Sequence, residues 1–218
     1  MSQHTLTLLR FTYKKLKEKL TVSDSKKLFH EQFPYVIPGL YKRIVDEMLV
    51  ELNLLNHQND FTQDNIFCVG LTETFKELTK GYKPEKHLDL LFESLCSCTN
   101  FEASGIKEIS QKFQKEFKDK SSNDILKFLK EKSDTKFYPS RILNLGMYIL
   151  ISNARDLKEK NESEKSKIIN DIYEKLNLPT NKAEKDIGIY KSTISKMEQA
   201  KELIEELRLK DKKKESKE

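Results

Sequence analysis

The fold is decided by residues 21–55, which read TVSDSKKLFHEQFPYVIPGLYKRIVDEMLVELNLL. Ser23 is the predicted N-cap of a first helix, and Asp24 follows it in the first turn, where a negative charge suits the helix dipole. Pro34 ends this helix, and Pro38 opens a second one. In the second helix the apolar residues recur every three or four positions: Tyr41, Ile44, Val45, Met48, Leu49, Leu52 and Leu55. This stripe predicts the central core helix.

The rest of the chain repeats the helical pattern. Residues 64–80, 88–95, 106–117 and 125–129 predict further helices, and 140–154 is apolar almost all round, which indicates a helix buried on most sides. The chain has only six glycines and five prolines, too few to punctuate a typical many-turned β fold. The sequence therefore predicts an all-α protein, a single multi-helix globular domain with a long C-terminal helix of coiled-coil-like pattern.

Changes in composition along the chain predict its organisation. Residues 1–20 form a basic amphipathic N-terminal segment, and residues 21–157 form the helical core domain. Residues 158–167 are polar and predict a linker, because they carry no apolar period. Residues 168–209 form a C-terminal helical extension, and residues 210–218 form a charged tail.

The last predicted helix carries the candidate binding surface. Its apolar residues follow a spacing of three and four: Ile187, Tyr190, Ile194 and Met197 come before Lys201, which interrupts the seam, and Ile204 follows it. Such a stripe either packs back on the core or waits for a partner helix. The sequence leaves both interpretations open, and the four residues before Lys201 are the predicted partner-binding residues.

The net charge of +5 is a small difference between 40 basic and 35 acidic side chains. Nucleic-acid-binding proteins usually concentrate their excess charge on one face or one tail, and here the small excess is divided between the two ends of the chain. We therefore expect no nucleic-acid partner. The basic ends either meet an anionic membrane surface or remain solvated tails.

Membrane spans and disulfides are both unexpected. The longest apolar run, 142–151, is about half of the ~20 residues that a transmembrane helix needs. The cysteines are three in number, Cys68, Cys96 and Cys98, and an odd count without a secretory signal favours a reducing compartment. The start of the chain also lacks the pattern of a transit peptide.

Candidate catalytic and metal-binding patterns are weak. Ser23 and Lys26 match the Ser-x-x-Lys spacing of some acyl-transfer enzymes without its companion motifs. Glu47 and Glu51 lie one helical turn apart, but Glu47 is placed to pair with Arg43 on the helix surface. The thiols of Cys96-Ser97-Cys98 point to different sides of a helix and so do not share a metal. We expect no enzyme, no cofactor and no metal site.

Several segments, in the same order, resemble one known family. They are Thr21-Val22-Ser23-Asp24, Ile37-Pro38, the helix of 41–55, Gly81-Tyr82-Lys83-Pro84, Ser140-Arg141 with the helix that follows, Leu178-Pro179, and Tyr190. On these residues the chain resembles the thylakoid formation protein family, the photosystem II biogenesis factors of cyanobacteria and chloroplasts. The resemblance covers roughly residues 21–209.

The resemblance implies a non-enzymatic accessory factor in thylakoid membrane biogenesis and photosystem II assembly or repair. It implies as partners an FtsH-type membrane protease, photosystem II assembly intermediates, or both. It also implies a peripheral protein on the cytoplasmic side of the cyanobacterial thylakoid membrane. The alternative hypothesis is a membrane-surface protein that binds anionic lipid through its basic termini.

Overall fold

The computed structural model describes residues 19–131 and 140–215, and most of the predicted N-terminal segment 1–20 lies outside these residues. All regular secondary structure in the described part is helical, which confirms the all-α class. The helices are α1 (Val22–Gln32), α2 (Gly39–His57), α3 (Asn65–Leu78), α4 (Leu88–Ser97), α5 (Ala103–Phe117), α6 (Ser122–Glu131), α7 (Arg141–Ser152), α8 (Glu162–Lys175) and α9 (Thr180–Glu215). Short 3₁₀ turns lie at Glu85–His87 and Arg155–Leu157.

The first helix begins earlier than the sequence predicts. Its N-cap is Thr21 and not Ser23, because the Thr21 hydroxyl oxygen accepts a hydrogen bond from the Asp24 backbone N–H at 3.1 Å. The same hydroxyl donates to the Asp24 carboxylate at 2.7 Å. Both threonine and serine cap helices. Thr21 is the one followed three positions later by an acidic residue, Asp24, whose carboxylate accepts the hydrogen bond from the Thr21 hydroxyl.

A second difference lies in the polar segment predicted as a linker. Helix α8 begins at Glu162, so residues 162–167 are helical. A capping box fixes this start. The Asn161 side chain accepts from the Glu164 backbone N–H at 3.0 Å, and the Glu164 carboxylate accepts from the Asn161 backbone N–H at 3.1 Å. The two reciprocal bonds satisfy N–H groups that a helix start otherwise leaves unpaired.

The chain divides into two compact units. Unit 1 contains the residues up to Gln63 together with Gly81–Glu108. In it, α1 packs on α2 and α4, and the stripe predicted for residues 41–55 is buried in α2. The buried Asn53 side chain donates to the Leu20 carbonyl and to the Ser25 hydroxyl, each at 2.8 Å. These bonds hold the start of α1 against α2 and leave the amide nitrogen satisfied inside the core.

Unit 2 contains Asp64–Lys80 and the residues from Ile109 onward. Helix α7 packs against α3, α6, α8 and α9, as its apolar composition predicts. The N-cap of α7 is Ser140, whose hydroxyl oxygen accepts from the Leu143 N–H at 3.1 Å. The part of the chain that the structure describes contains no helix with the length and apolarity needed to cross a membrane.

Two glycines set the distance between α3 and α7. A Cβ added to Gly70 would lie 2.1 Å from the Ile142 carbonyl oxygen, and a Cβ added to Gly146 would lie 2.1 Å from the Ile66 carbonyl oxygen. These distances are far inside van der Waals contact, and the atoms met are backbone atoms that have no rotamer to adopt. The two helices therefore cross backbone to backbone, and each crossing position accepts only glycine.

We expect Gly70→Ala or Gly146→Ala to lower the free energy of unfolding by about 3 kcal/mol or more, since overpacking against backbone forces the helices apart. The measurement is urea denaturation followed by circular dichroism. Gly188→Ala in α9 is the matched control, because a Cβ added there would have nothing within 4 Å. That change should stabilise by up to about 1 kcal/mol. A Gly146→Ala protein as stable as the parent would contradict the backbone-contact explanation.

Candidate interaction surface on the last helix

The residues that matched catalytic patterns lie in ordinary helix surfaces. Ser23 is exposed on α1, and the Lys26 ammonium lies 3.8 Å from the Asp46 carboxylate. The Arg43 guanidinium donates to the Glu47 carboxylate at 2.8 Å, as the spacing of four predicts. Surface ion pairs therefore explain the positions of the Lys26 and Glu47 side chains.

The cysteines are all free and buried. Burial raises the pKa of the Cys98 thiol to about 12, so this thiol is protonated and a poor nucleophile at neutral pH. Among residues 19–131 and 140–215, no three His, Cys, Asp or Glu side chains are grouped to hold a metal ion.

Helix α9 positions the four residues that the sequence predicts as partner-binding. It has 36 residues and is about 54 Å long at 1.5 Å per residue. Ile187 packs against the buried apolar cluster of unit 2, and Met197 is only 6% exposed. The Tyr190 ring lies edge-on to the Tyr148 ring of α7, with centroids 6.4 Å apart, and Ile194 is half-buried. The stripe thus packs back on the other helices of unit 2, which is one of the two arrangements that the sequence leaves open.

Polar contacts hold α9 along the same side. The buried Asn144 amide donates to the Asp186 carboxylate at 2.7 Å. The Lys191 ammonium donates to the Glu162 carboxylate at 2.7 Å and lies 5.1 Å from the Tyr148 ring centroid. This ion pair lowers the pKa of Glu162, chiefly through the hydrogen bond from Lys191. The contacts fix the rotation of α9 about its own axis.

Tyr190 of α9 and Tyr173 of α8 are held in their neutral form. Burial is the main cause that raises the pKa of Tyr190, and the nearby carboxylate of Glu77 adds to it. Burial also raises the pKa of Tyr173, whose hydroxyl donates to the Asn144 carbonyl at 3.1 Å. Both phenols therefore act as neutral packing and hydrogen-bonding groups and are poor acids at neutral pH.

The distal part of α9 exposes large apolar side chains. Leu203 is 57% exposed, Leu207 is 51% exposed and Ile204 is 41% exposed. Leu203 lies roughly 120° around the helix from Met197, at 100° per residue, so it does not continue the inner stripe. We call Leu203, Ile204 and Leu207 the distal apolar face. The sequence stripe of this helix includes Ile204 but not Leu203 and Leu207, although the spacing of four between these two leucines is a readable signal.

The two faces of α9 should respond differently to charge. We expect Met197→Lys to lower the free energy of unfolding by about 1–3 kcal/mol, because it places an ammonium group in a buried apolar position. Leu203→Lys should change it by no more than about 0.5 kcal/mol, since an exposed position loses little packing. Urea denaturation measures both. Equal destabilisation by the two changes would show that Leu203 is covered in solution.

These features define an all-helical protein with an exposed apolar surface on its last helix. A family model described as thylakoid formation protein matches residues 21–218. The chain belongs to the thylakoid formation protein family. This membership makes it a factor of thylakoid formation and photosystem II biogenesis, in a family that is not a known enzyme family.

Relatives and a solved structure agree with the family. Protein Thf1 of Prochlorococcus marinus strain MIT 9312 is 80% identical over 199 residues, which cover 91% of this chain and 99% of the relative. Protein Thf1 of Prochlorococcus marinus subsp. pastoris strain CCMP1986 is 71% identical, with 93% and 100% covered. A solved structure of Psb29 is similar with a TM-score of 0.79 at 26% identity, covering 90% of this chain and 99% of that one.

Proposed function

We propose that the protein is a non-enzymatic accessory factor that binds an FtsH-type membrane protease or photosystem II assembly intermediates through α9. The observation that carries the proposal is the distal apolar face. Exposed clustered leucine and isoleucine side chains on a helix are typical of protein-binding surfaces. A helix held in a fixed orientation also loses little freedom when it binds.

The inner stripe and the distal apolar face take different parts in this proposal. Ile187 and Met197 fix α9 against the other helices of unit 2. The proposed contact with the partner is made by the distal apolar face, Leu203, Ile204 and Leu207. Direct contact of Ile187, Tyr190, Ile194 and Met197 with a partner stays a prediction. A variant such as Ile194→Lys with Met197→Lys tests it only when circular dichroism shows that the helices are intact.

The proposed location is the cytoplasmic side of the thylakoid membrane, as a peripheral protein. A chain that meets a membrane-bound partner by surface contact needs no membrane span of its own. Binding of anionic lipid by the basic termini, residues 1–20 and 210–218, is the alternative. The two differ in salt response, because electrostatic docking fades as the Debye length falls to ~3 Å at 1 M salt. An apolar protein contact persists under the same wash.

The test is recovery of partners from cyanobacterial membranes by the tagged protein, with low-salt and high-salt washes and identification by mass spectrometry. We expect Leu203→Lys with Leu207→Lys to reduce recovery of the protease or photosystem II subunits at least about tenfold, since two charges would be buried in the interface. The fold should remain, because both positions are exposed.

The matched control is Ser195→Lys with Gln199→Lys, two exposed positions of α9 with the same spacing and the same added charge. It should recover partners as well as the parent does. Equal loss in both variants would contradict the distal apolar face and indicate a charge effect. Capture that depends on lipid and disappears at high salt, without a specific protein, would favour the basic termini.

A further inference from the structure

Unit 2 contains a cavity of about 400 Å³ between α3, α5 and α7 that is partly open to solvent. Its volume lies within the range of about 300–1,000 Å³ that small-molecule sites occupy. The floor is apolar and belongs to the core: Val69 is 1% exposed, Leu150 is 5% exposed and Phe117 is 6% exposed. Water gains few hydrogen bonds against such a floor, so a hydrocarbon group is the better occupant.

The rim of the cavity carries three ammonium groups, those of Lys115, Lys118 and Lys158. None of the three forms an ion pair with any residue between 19 and 131 or between 140 and 215. Lys115 and Lys118 also lie one helical turn apart, where like charges repel. An anion bound among them would relieve this repulsion and supply a counter-charge.

The other polar side chains that line the cavity are the amides of Gln114 and Asn153. The Gln114 amide nitrogen donates to the Glu73 carboxylate at 3.2 Å and to the Ser110 hydroxyl at 3.0 Å. Glu73 does not itself line the cavity, and its carboxylate also lies 3.7 Å from the Lys76 ammonium. The Asn153 side chain has no hydrogen-bond partner in the described part of the chain, so it is available to a ligand.

We propose that this cavity binds one molecule of an anionic lipid. The acidic headgroup lies among Lys115, Lys118 and Lys158, and an acyl chain lies on the floor formed by Val69 and Phe117. A cationic rim above an apolar floor matches both halves of such a molecule, whereas a free anion uses only the rim and a neutral lipid only the floor. The residues of this site differ from those of the basic termini and of the distal apolar face. The lipid proposal therefore does not depend on the proposed function of α9.

The binding test uses short-chain soluble lipids, which remain monomeric and do not present a membrane surface. Dihexanoylphosphatidylglycerol is the probe, dihexanoylphosphatidylcholine is the neutral comparison, and glycerophosphoglycerol is the same headgroup without acyl chains. Binding is measured by titration calorimetry and by the rise in melting temperature that a ligand of the folded state produces. We expect the anionic lipid to bind at least about tenfold more tightly than either comparison, a difference of about 1.4 kcal/mol.

The site variant is Lys115→Gln, Lys118→Gln and Lys158→Gln together. Its matched control is Lys127→Gln, Lys167→Gln and Lys196→Gln, three exposed lysines that do not line the cavity and give the same change in net charge. We expect the site variant to lose binding of the anionic lipid about tenfold or more, and the control to keep it.

Three results would overturn the proposal. Equal binding of the two lipids would show that the rim does not select charge. Equal binding of the headgroup alone would show an anion site without a chain. Equal losses in the site variant and its control would show that only net charge attracts the lipid. Partner recovery through α9 is measured separately, so a failure here leaves that proposal unchanged.

Discussion

The arrangement of unit 2 depends on the contact between Gly70 and Gly146. Because the backbones of α3 and α7 meet there, the neighbouring side chains have fixed positions along both helices. Val69, beside the crossing, is placed in the floor of the cavity, and Tyr148, two residues after it, is placed against Tyr190 of α9. One close approach thus positions both the cavity and the inner face of the last helix. A larger residue at either glycine would shift the two together, since tightly packed interiors transmit small displacements.

Around this crossing, a polar residue in the most apolar helix determines how α8 and α9 attach. Asn144 is 3% exposed, and its side chain and backbone serve different helices. The amide donates to Asp186 of α9, and the carbonyl accepts from Tyr173 of α8. Apolar packing alone tolerates many rotations of a helix, whereas a hydrogen bond inside or at the edge of the core is satisfied in few. The bond from Asn144 to Asp186 thus contributes, with the Lys191 contacts, to an orientation of α9 that leaves Leu203 and Leu207 exposed.

The sequence predicts those helices and buried faces that local periodicity determines. It places the stripe of α2 and the buried helix α7. It also contains the capping box of Asn161 and Glu164, which was readable as the start of α8. The crossing of Gly70 and Gly146 was not predictable in this way, because its residues lie far apart in the chain and only the tertiary contact shows why both are glycine. The cavity likewise joins residues of three helices and has no local pattern.

The two candidate surfaces of unit 2 rely on different physical forces. The distal apolar face gains free energy from burial of hydrocarbon, a contribution that salt does not weaken. The lysine rim gains it mainly from charge, which salt screens. Under the two proposals together, the protein contact through α9 would persist at salt concentrations that weaken the lipid contact. Neither proposed contact needs a membrane-spanning helix, so attachment by such contacts is reversible.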